Sequence, residues 1–260
     1  MKQKDVSLII VPDIHGRSFW MDVYDYDAEI VFLGDYLDPY EFEQIHPWDA
    51  LENFERILLF ARKNPKVHLL LGNHDLTYAK GRYICDCRCD TVNYEDIKRM
   101  FLDNERLFNL AYDRCINGKN FFISHAGISL GWYARHRHIF EKSFQETLSA
   151  DYVNQLYRAG RLDKVLEEIG YHRFGNYEFG SIVWADIYEH IEDDQDLKTD
   201  IVQIVGHTQR TESPLFLEKN YPVYGVDFRQ CVYIDSHGAL RVLSTGAEIV
   251  NSRLISAGNQ

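Results

Sequence analysis

The chain has 260 residues, 45% of them hydrophobic and 14% aromatic, which supplies the core of one large α/β domain or at most two small ones. Forty acidic against 28 basic side chains leave a net charge of −12, an excess that repels polyanions and argues against duplex nucleic acid as a partner. The first apolar stretch is too short for a signal-peptide core and no run approaches a membrane span, so with five cysteines read as reduced thiols the expectation is a cytoplasmic protein with no membrane attachment.

Ser7-Leu8-Ile9-Ile10-Val11 reads as a buried strand and runs into Pro12-Asp13-Ile14-His15-Gly16. Ile30–Leu33 is the next strand and runs into Gly34-Asp35-Tyr36-Leu37-Asp38. From Pro47 to about Lys63, apolar residues at Leu51, Phe54, Ile57, Leu58 and Ala61 have helical spacing, with Pro47 suited to a helix start. Val67–Leu71 is a third strand, ahead of Gly72-Asn73-His74-Asp75, so the intervening helix makes a βαβ unit with a parallel pair. A second helix is expected over roughly 94–108, before a strand at Asn120–Ile123 that leads into Ser124-His125-Ala126-Gly127. The stretch from about 140 to 170 has a more polar helical pattern and is expected to form a cap-like insertion over the sheet or the site mouth. Ile201–Val205 leads into Gly206-His207-Thr208, and short runs at Pro222–Val226, Val232–Asp235 and Ala239–Ser244 suggest an antiparallel meander closing a second sheet. No linker, repeat or low-complexity tract divides the chain, so a single domain over 1–260 is expected.

Five apolar runs therefore each end on Asp, Asn or His. In open α/β sheets, ligand groups gather just beyond the carboxyl ends of the strands. Ends of this kind can converge on one place, and their donors suit a two-metal centre.

In order, Asp13-x-His15, Gly34-Asp35-x-x-Asp38, Gly72-Asn73-His74-Asp75, His125 and Gly206-His207 resemble the calcineurin-like metallophosphoesterase superfamily. The resemblance spans residues 13–208. It implies an α/β fold of two mixed β-sheets packed as a sandwich and flanked by helices. It also implies that Asp13, His15 and Asp35 hold a first metal and Asp35, Asn73, His125 and His207 a second, with Asp35 bridging. A bridging carboxylate offsets the repulsion of two cations roughly 3.5–4 Å apart. The mixed nitrogen and oxygen donors suit manganese, iron or zinc rather than calcium. By the same resemblance His74, held by Asp38, protonates the leaving oxygen.

Trp184-Ala185-Asp186 and the tail Val232-Tyr233-Ile234-Asp235-Ser236 are similar to the phosphoprotein phosphatase branch, which also contains diadenosine tetraphosphate hydrolases. The final motif continues Thr208-Gln209, without the second histidine usual in nuclease and phosphodiesterase branches. Two departures from the phosphatase branch stand out. Pro39-Tyr40 replaces the Arg-Gly that would follow Asp38, and Asp75 stands where that branch has Glu. Arg173 is the candidate replacement for the missing substrate-binding guanidinium, with Arg210 behind it.

The expected activity is hydrolysis of phosphate esters by a hydroxide held between two metals, with His74 as general acid. The substrate classes in view are a phosphorylated small molecule, a nucleotide or a phosphoprotein. The alternatives are a dinucleoside polyphosphate hydrolase, with Tyr36 or Tyr40 stacking on a base, and a non-catalytic binding module on the same fold. Cys85-Asp86-Cys87-Arg88-Cys89, with Cys115, invites a structural zinc reading, yet it lacks the two-residue gap usual between zinc-binding cysteines. His136 and His138 are expected on a basic surface near the entrance, and the aromatic cluster Tyr36, Tyr40, Phe42, Trp48, Tyr78 and Tyr83 is expected mainly to pack.

Overall fold

The computed structural model describes residues 5–80, 87–192, 197–210 and 213–250. Strand β1 (Val6–Val11) pairs in parallel with β2 (Glu29–Phe32), and the chain returns through helix α1 (Pro47–Lys63) to a parallel β3 (Val67–Leu70). Pro47 opens α1, and His46 Nδ1 caps it by accepting the Trp48 N–H. A helix of about two turns follows β3 closely, as α2 (Asn73–Ala79). Helix α3 (Tyr94–Asp103) is shorter than its periodicity suggests, because residues 105–107 tighten into a 3₁₀ turn before β4 (Phe108–Asn109) joins β3.

Strand β5 (Ala111–Ile116) turns back as β6 (Lys119–Ser124) in a second sheet, where β6 lies parallel to β7 (Val202–Val205). The expected meander is corrected by the sheet topology. Strand β9 (Pro222–Gly225) lies parallel to β7 with β8 (Leu215–Glu218) antiparallel at the edge, whereas β10 (Val232–Asp235) and β11 (Leu240–Val242) cross to the first sheet beside β1. The sheets thus run β11-β10-β1-β2-β3-β4 and β5-β6-β7-β9-β8. Both are mixed, and they pack face to face with helices outside.

Alternation along the strands explains why the motifs follow near-continuous apolar runs. Leu8, Ile10, Val31 and Leu33 meet Phe121, Ile123, Val202 and Ile204 between the sheets. Ile9, Val11, Ile30 and Phe32 point the other way, into the core that includes Phe54 and Ile57 of α1. Because both faces are covered, these strands are apolar for most of their length, and the buried Gln203 of β7 is satisfied by the Ile128 backbone. At roughly 1.5–3 kcal/mol for each large side chain buried, the two layers make the strand ends a fixed platform.

The 140–170 stretch is not one helix. It comprises the end of α5 (Arg137–Phe140), α6 (Phe144–Thr147), α7 (Ala150–Arg158) and turns, all after α4 (Leu130–Arg135). Ser143 restarts the helix through a reciprocal cap with Glu146. Asn154 of α7 accepts from the Leu110 and Ala111 N–H groups, tying α7 to β5 at the sheet edge.

Candidate metal centre

Each predicted ligand sits just past a strand. Asp13 and His15 follow β1, Asp35 and Asp38 follow β2, Asn73 and His74 open α2 after β3, His125 follows β6 and His207 follows β7. All eight are buried, with relative exposures of 0–9%. His15, Asp35, Asp38 and His207 have left-handed backbones, with φ of 44°, 50°, 61° and 58°. Such values strain a residue with a side chain and persist where surrounding contacts over-determine them. Two glycines make room: a Cβ at Gly72 would run into Asp35 Oδ1, and one at Gly206 into Asp13 Oδ1.

The contacts that hold the strained turns come from far along the chain. Asp75 Oδ2 accepts the N–H of Asp35 at 2.7 Å and of Gly72 at 2.8 Å, while its Oδ1 accepts the Tyr36 N–H at 3.1 Å. Asp35 Oδ1 accepts the His74 N–H at 3.0 Å, and both oxygens of Asp13 accept the His207 N–H. Asp75 therefore positions the turn that carries Asp35.

Two clusters of ligand atoms share Asp35. His15, Asp35 and His74 form one, and Asp35, His125 and His207 the other, with atoms in each within 4.8 Å of one another. His15 Nδ1 donates to the Leu37 carbonyl and His125 Nδ1 to the Leu33 carbonyl, which leaves each Nε2 with a lone pair turned inward. His125 Nε2 lies 3.0 Å from Asn73 Oδ1, 3.2 Å from His207 Nδ1 and 3.6 Å from Asp35 Oδ2. Asn73 Nδ2 donates to Cys87 Sγ, which turns Oδ1 toward this group. Acceptors facing acceptors in a buried place call for a cation, so the donor set fits metal ions.

The histidines divide into two electrostatic classes. Burial drives His15 down to about 3 against the attraction of Asp35. Burial likewise lowers His125, and burial with the Arg173 charge lowers His207 well below the ordinary value. Neutral imidazole is the form that ligates metal. Burial also opposes charge on His74, yet Asp35 and the hydrogen bond to Asp38 outweigh it and raise the group above the usual histidine value. His74 Nδ1 lies 2.9 Å from Asp38 Oδ2 and 3.0 Å from the Arg88 carbonyl. Asp38 Oδ1 is fixed in turn by the Tyr78 hydroxyl at 2.6 Å and the Asp90 N–H at 3.1 Å.

The profile describing calcineurin-like phosphoesterases matches residues 7–223. The chain belongs to that family. A search of the curated proteins finds no match. Among solved structures, a cold-active protein tyrosine phosphatase is 18% identical and superposes with a TM-score of 0.50 over 92% of this chain and 78% of that one. A serine/threonine phosphatase from Saccharomyces cerevisiae is 15% identical, with a TM-score of 0.47 over 88% of this chain and 73% of that one. At 18% identity the likeness to the first of these is one of fold alone. This calcineurin-like phosphoesterase therefore carries the ligand groups of a metal-dependent family on the matching architecture. No helix among the described residues is long and apolar enough to cross a membrane.

Other expectations fall differently. Arg173 stands beside the site, but its Nη2 donates to the His207 carbonyl at 2.8 Å and to Thr208 Oγ1, and its Nε lies 3.2 Å from Asp186 Oδ2. Tyr36 cannot face a substrate: it is fully buried, stacked on Phe54, and its hydroxyl donates to the Leu70 carbonyl. Tyr40 does stand at the site, its ring edge-on to His15 at 5.0 Å. His136 is buried and bonded to Glu168 rather than displayed on a basic surface, while His138 is exposed. Cys85 and Tyr83 lie outside the described residues. Cys87 is buried beside Asn73, whereas Cys115 is exposed on β5, and no described cysteine belongs to a metal-binding cluster.

Asp227 was missed. It is 1% exposed, neither carboxylate oxygen has a hydrogen-bond partner among the described residues, and burial pushes its pKa up to about 7. It lies just past β9, so the strand-end rule applied to Pro222–Val226 would have found it.

Proposed function

We propose that this protein is a dinuclear metal-dependent phosphomonoesterase of the phosphoprotein phosphatase kind. Asp13, His15 and Asp35 hold one ion, and Asp35, Asn73, His125 and His207 the other, with manganese, iron or zinc as the candidates. When bound, the ions lower the pKa of water toward neutrality and polarise the phosphoryl group. The observation that carries this reading is the split among the histidines. His15, His125 and His207 are all lowered by burial, His15 and His125 turn Nε2 inward, and His74, bonded to Asp38, is alone held toward its charged form.

The residues then have separable tasks. Asp35 supplies negative charge to both clusters. Asn73 is oriented by Cys87. His74 shares its Nδ1 proton with Asp38, which leaves Nε2 as the atom that donates a proton to the departing oxygen. The presence of all eight residue types, each buried just past a strand, disfavours the non-catalytic alternative. The anhydride alternative loses Tyr36 as a stacking surface, and Tyr40 is already covered by Arg88.

The test uses two esters that differ in their need for an acid. His74→Asn should keep its metals by elemental analysis and lose turnover on an alkyl phosphate by roughly 10²–10⁴-fold. It should lose much less on p-nitrophenyl phosphate, whose leaving group departs without a proton. Equal rates for wild type and variant on both esters would sink the assignment.

A further inference from the structure

The site's arginines differ in what they are free to do. Arg17 is buried, with Nε on Glu43 at 2.9 Å and Nη1 on the Asp13 carbonyl. Arg229 Nη2 lies 3.2 Å from the same Glu43, and Arg173 is drawn onto Asp186, His207 and Thr208. Arg88 is exposed and pairs with no carboxylate among the described residues. Its guanidinium carbon lies 3.7 Å from the centroid of the Tyr40 ring, and its Nη2 donates to the Asp38 carbonyl at 3.2 Å. Tyr40 in turn leans on His15, and the Arg88 carbonyl accepts from His74. A cleft of about 540 Å³ opens here, walled by Pro39, Tyr40, Ile45, Pro47 and Arg88.

We infer that Arg88 is the guanidinium that binds the substrate's phosphoryl oxygens in this site. The inference rests on the phosphoesterase reading above and names a residue that reading leaves open. Stacking on Tyr40 fixes the plane of the fork, and among the described residues Arg88 meets only the Asp38 carbonyl and Tyr40, which leaves other donors of its five for an anion. A phosphoryl group in transfer spreads charge over its equatorial oxygens, and a bidentate arginine at the mouth matches that charge where a lone metal cluster leaves one side unmet. The cation reaches the site from the segment after Cys87 rather than from the turn after Asp38, where Pro39 stands.

The experiment measures hydrolysis by the manganese-loaded full chain, with inorganic phosphate as competitive inhibitor. Arg88→Ala should raise the inhibition constant for phosphate by roughly 10–100-fold, the value of a charge-assisted hydrogen bond, with manganese content unchanged. Arg88→Lys should fall between, since it keeps charge but loses the fork and the stack. The rate ratio of p-nitrophenyl to alkyl phosphate should stay at the wild-type value in Arg88→Ala, because the carbonyl that meets His74 belongs to the backbone. A phosphate constant within twofold of wild type overturns the inference, as does a changed ester ratio, which would place Arg88 behind His74 instead. A wild type that hydrolyses neither ester defeats the parent reading, and this inference with it.

Discussion

Left-handed backbone occurs at both ends of the sandwich, on different terms. Away from the site, the β5–β6 hairpin turns through Asn117 at φ 50° and Gly118 at φ 76°, the residue types a two-residue turn of this hand selects. A Cβ at Gly118 would meet nothing within 4 Å, so no neighbour presses on that glycine, and Asn117 Nδ2 reaches the His237 carbonyl from the turn. At the site, the same region of backbone space is taken by His15, Asp35, Asp38 and His207. Only tertiary contacts hold them there: the Asp75 carboxylate under Asp35 and Tyr36, and the Asp13 carboxylate under His207. At the functional end the left-handed positions are held by carboxylates from elsewhere in the chain, and at the hairpin end they fall on Asn and Gly, the residue types that adopt them most readily.

The most severe way to break this contrast is Asp35→Asn, which removes the charge common to both clusters. It should abolish turnover and leave at most one ion bound, as read by elemental analysis beside activity. Asp75→Ala comes next. It touches no proposed ligand atom, yet it leaves three buried N–H groups without an acceptor, for a loss of at least about 3 kcal/mol in denaturant unfolding. Metal affinity should fall by roughly 10–100-fold as the Asp35 turn relaxes. Unchanged affinity would show that the turn holds itself.

A pH series sharpens the comparison with a buried histidine outside the clusters. His190 of α8 (Glu189–Glu192) lies 2.7 Å from the Tyr221 hydroxyl and 2.9 Å from the Ala126 carbonyl, and burial lowers it from 6.5 to about 4. Between those values the unfolded chain binds the extra proton, so stability is full above pH 6.5 and falls as pH drops toward 4. The loss amounts to roughly 3 kcal/mol at most, and His190→Gln should flatten that part of the melting-temperature profile. The smallest effect belongs to the hairpin. Asn117→Ala should cost about 1–2 kcal/mol and leave turnover untouched, since its strain and its bond to the His237 carbonyl are local to that end.

Much of the site was legible because each ligand belongs to a strand end, and a strand buried on both faces declares itself as an apolar run. Asp13, Asp35, Asn73, His125 and His207 stand out in this way without any knowledge of how the runs pair. The same rule would have reached Asp227. It could not reach Asp75, which differs from a ligand only in which way its carboxylate turns inside a helical turn. Nor could it separate Arg88 from Arg173, since that depends on which guanidinium meets a carboxylate across the chain. Tyr36 and Tyr40 sit four positions apart beside one motif, and one is sealed in the core while the other reaches the cleft.

What the sequence by itself determined is the set of donors and the α/β character that presents them, because periodicity and strand-terminal chemistry are local. The tertiary structure decided which sheet each late strand joins, which carboxylate steadies Asp35, and which histidine keeps its proton. Those outcomes depend on burial and on partners up to 194 residues apart, as between Asp13 and His207, and no short window of sequence contains them.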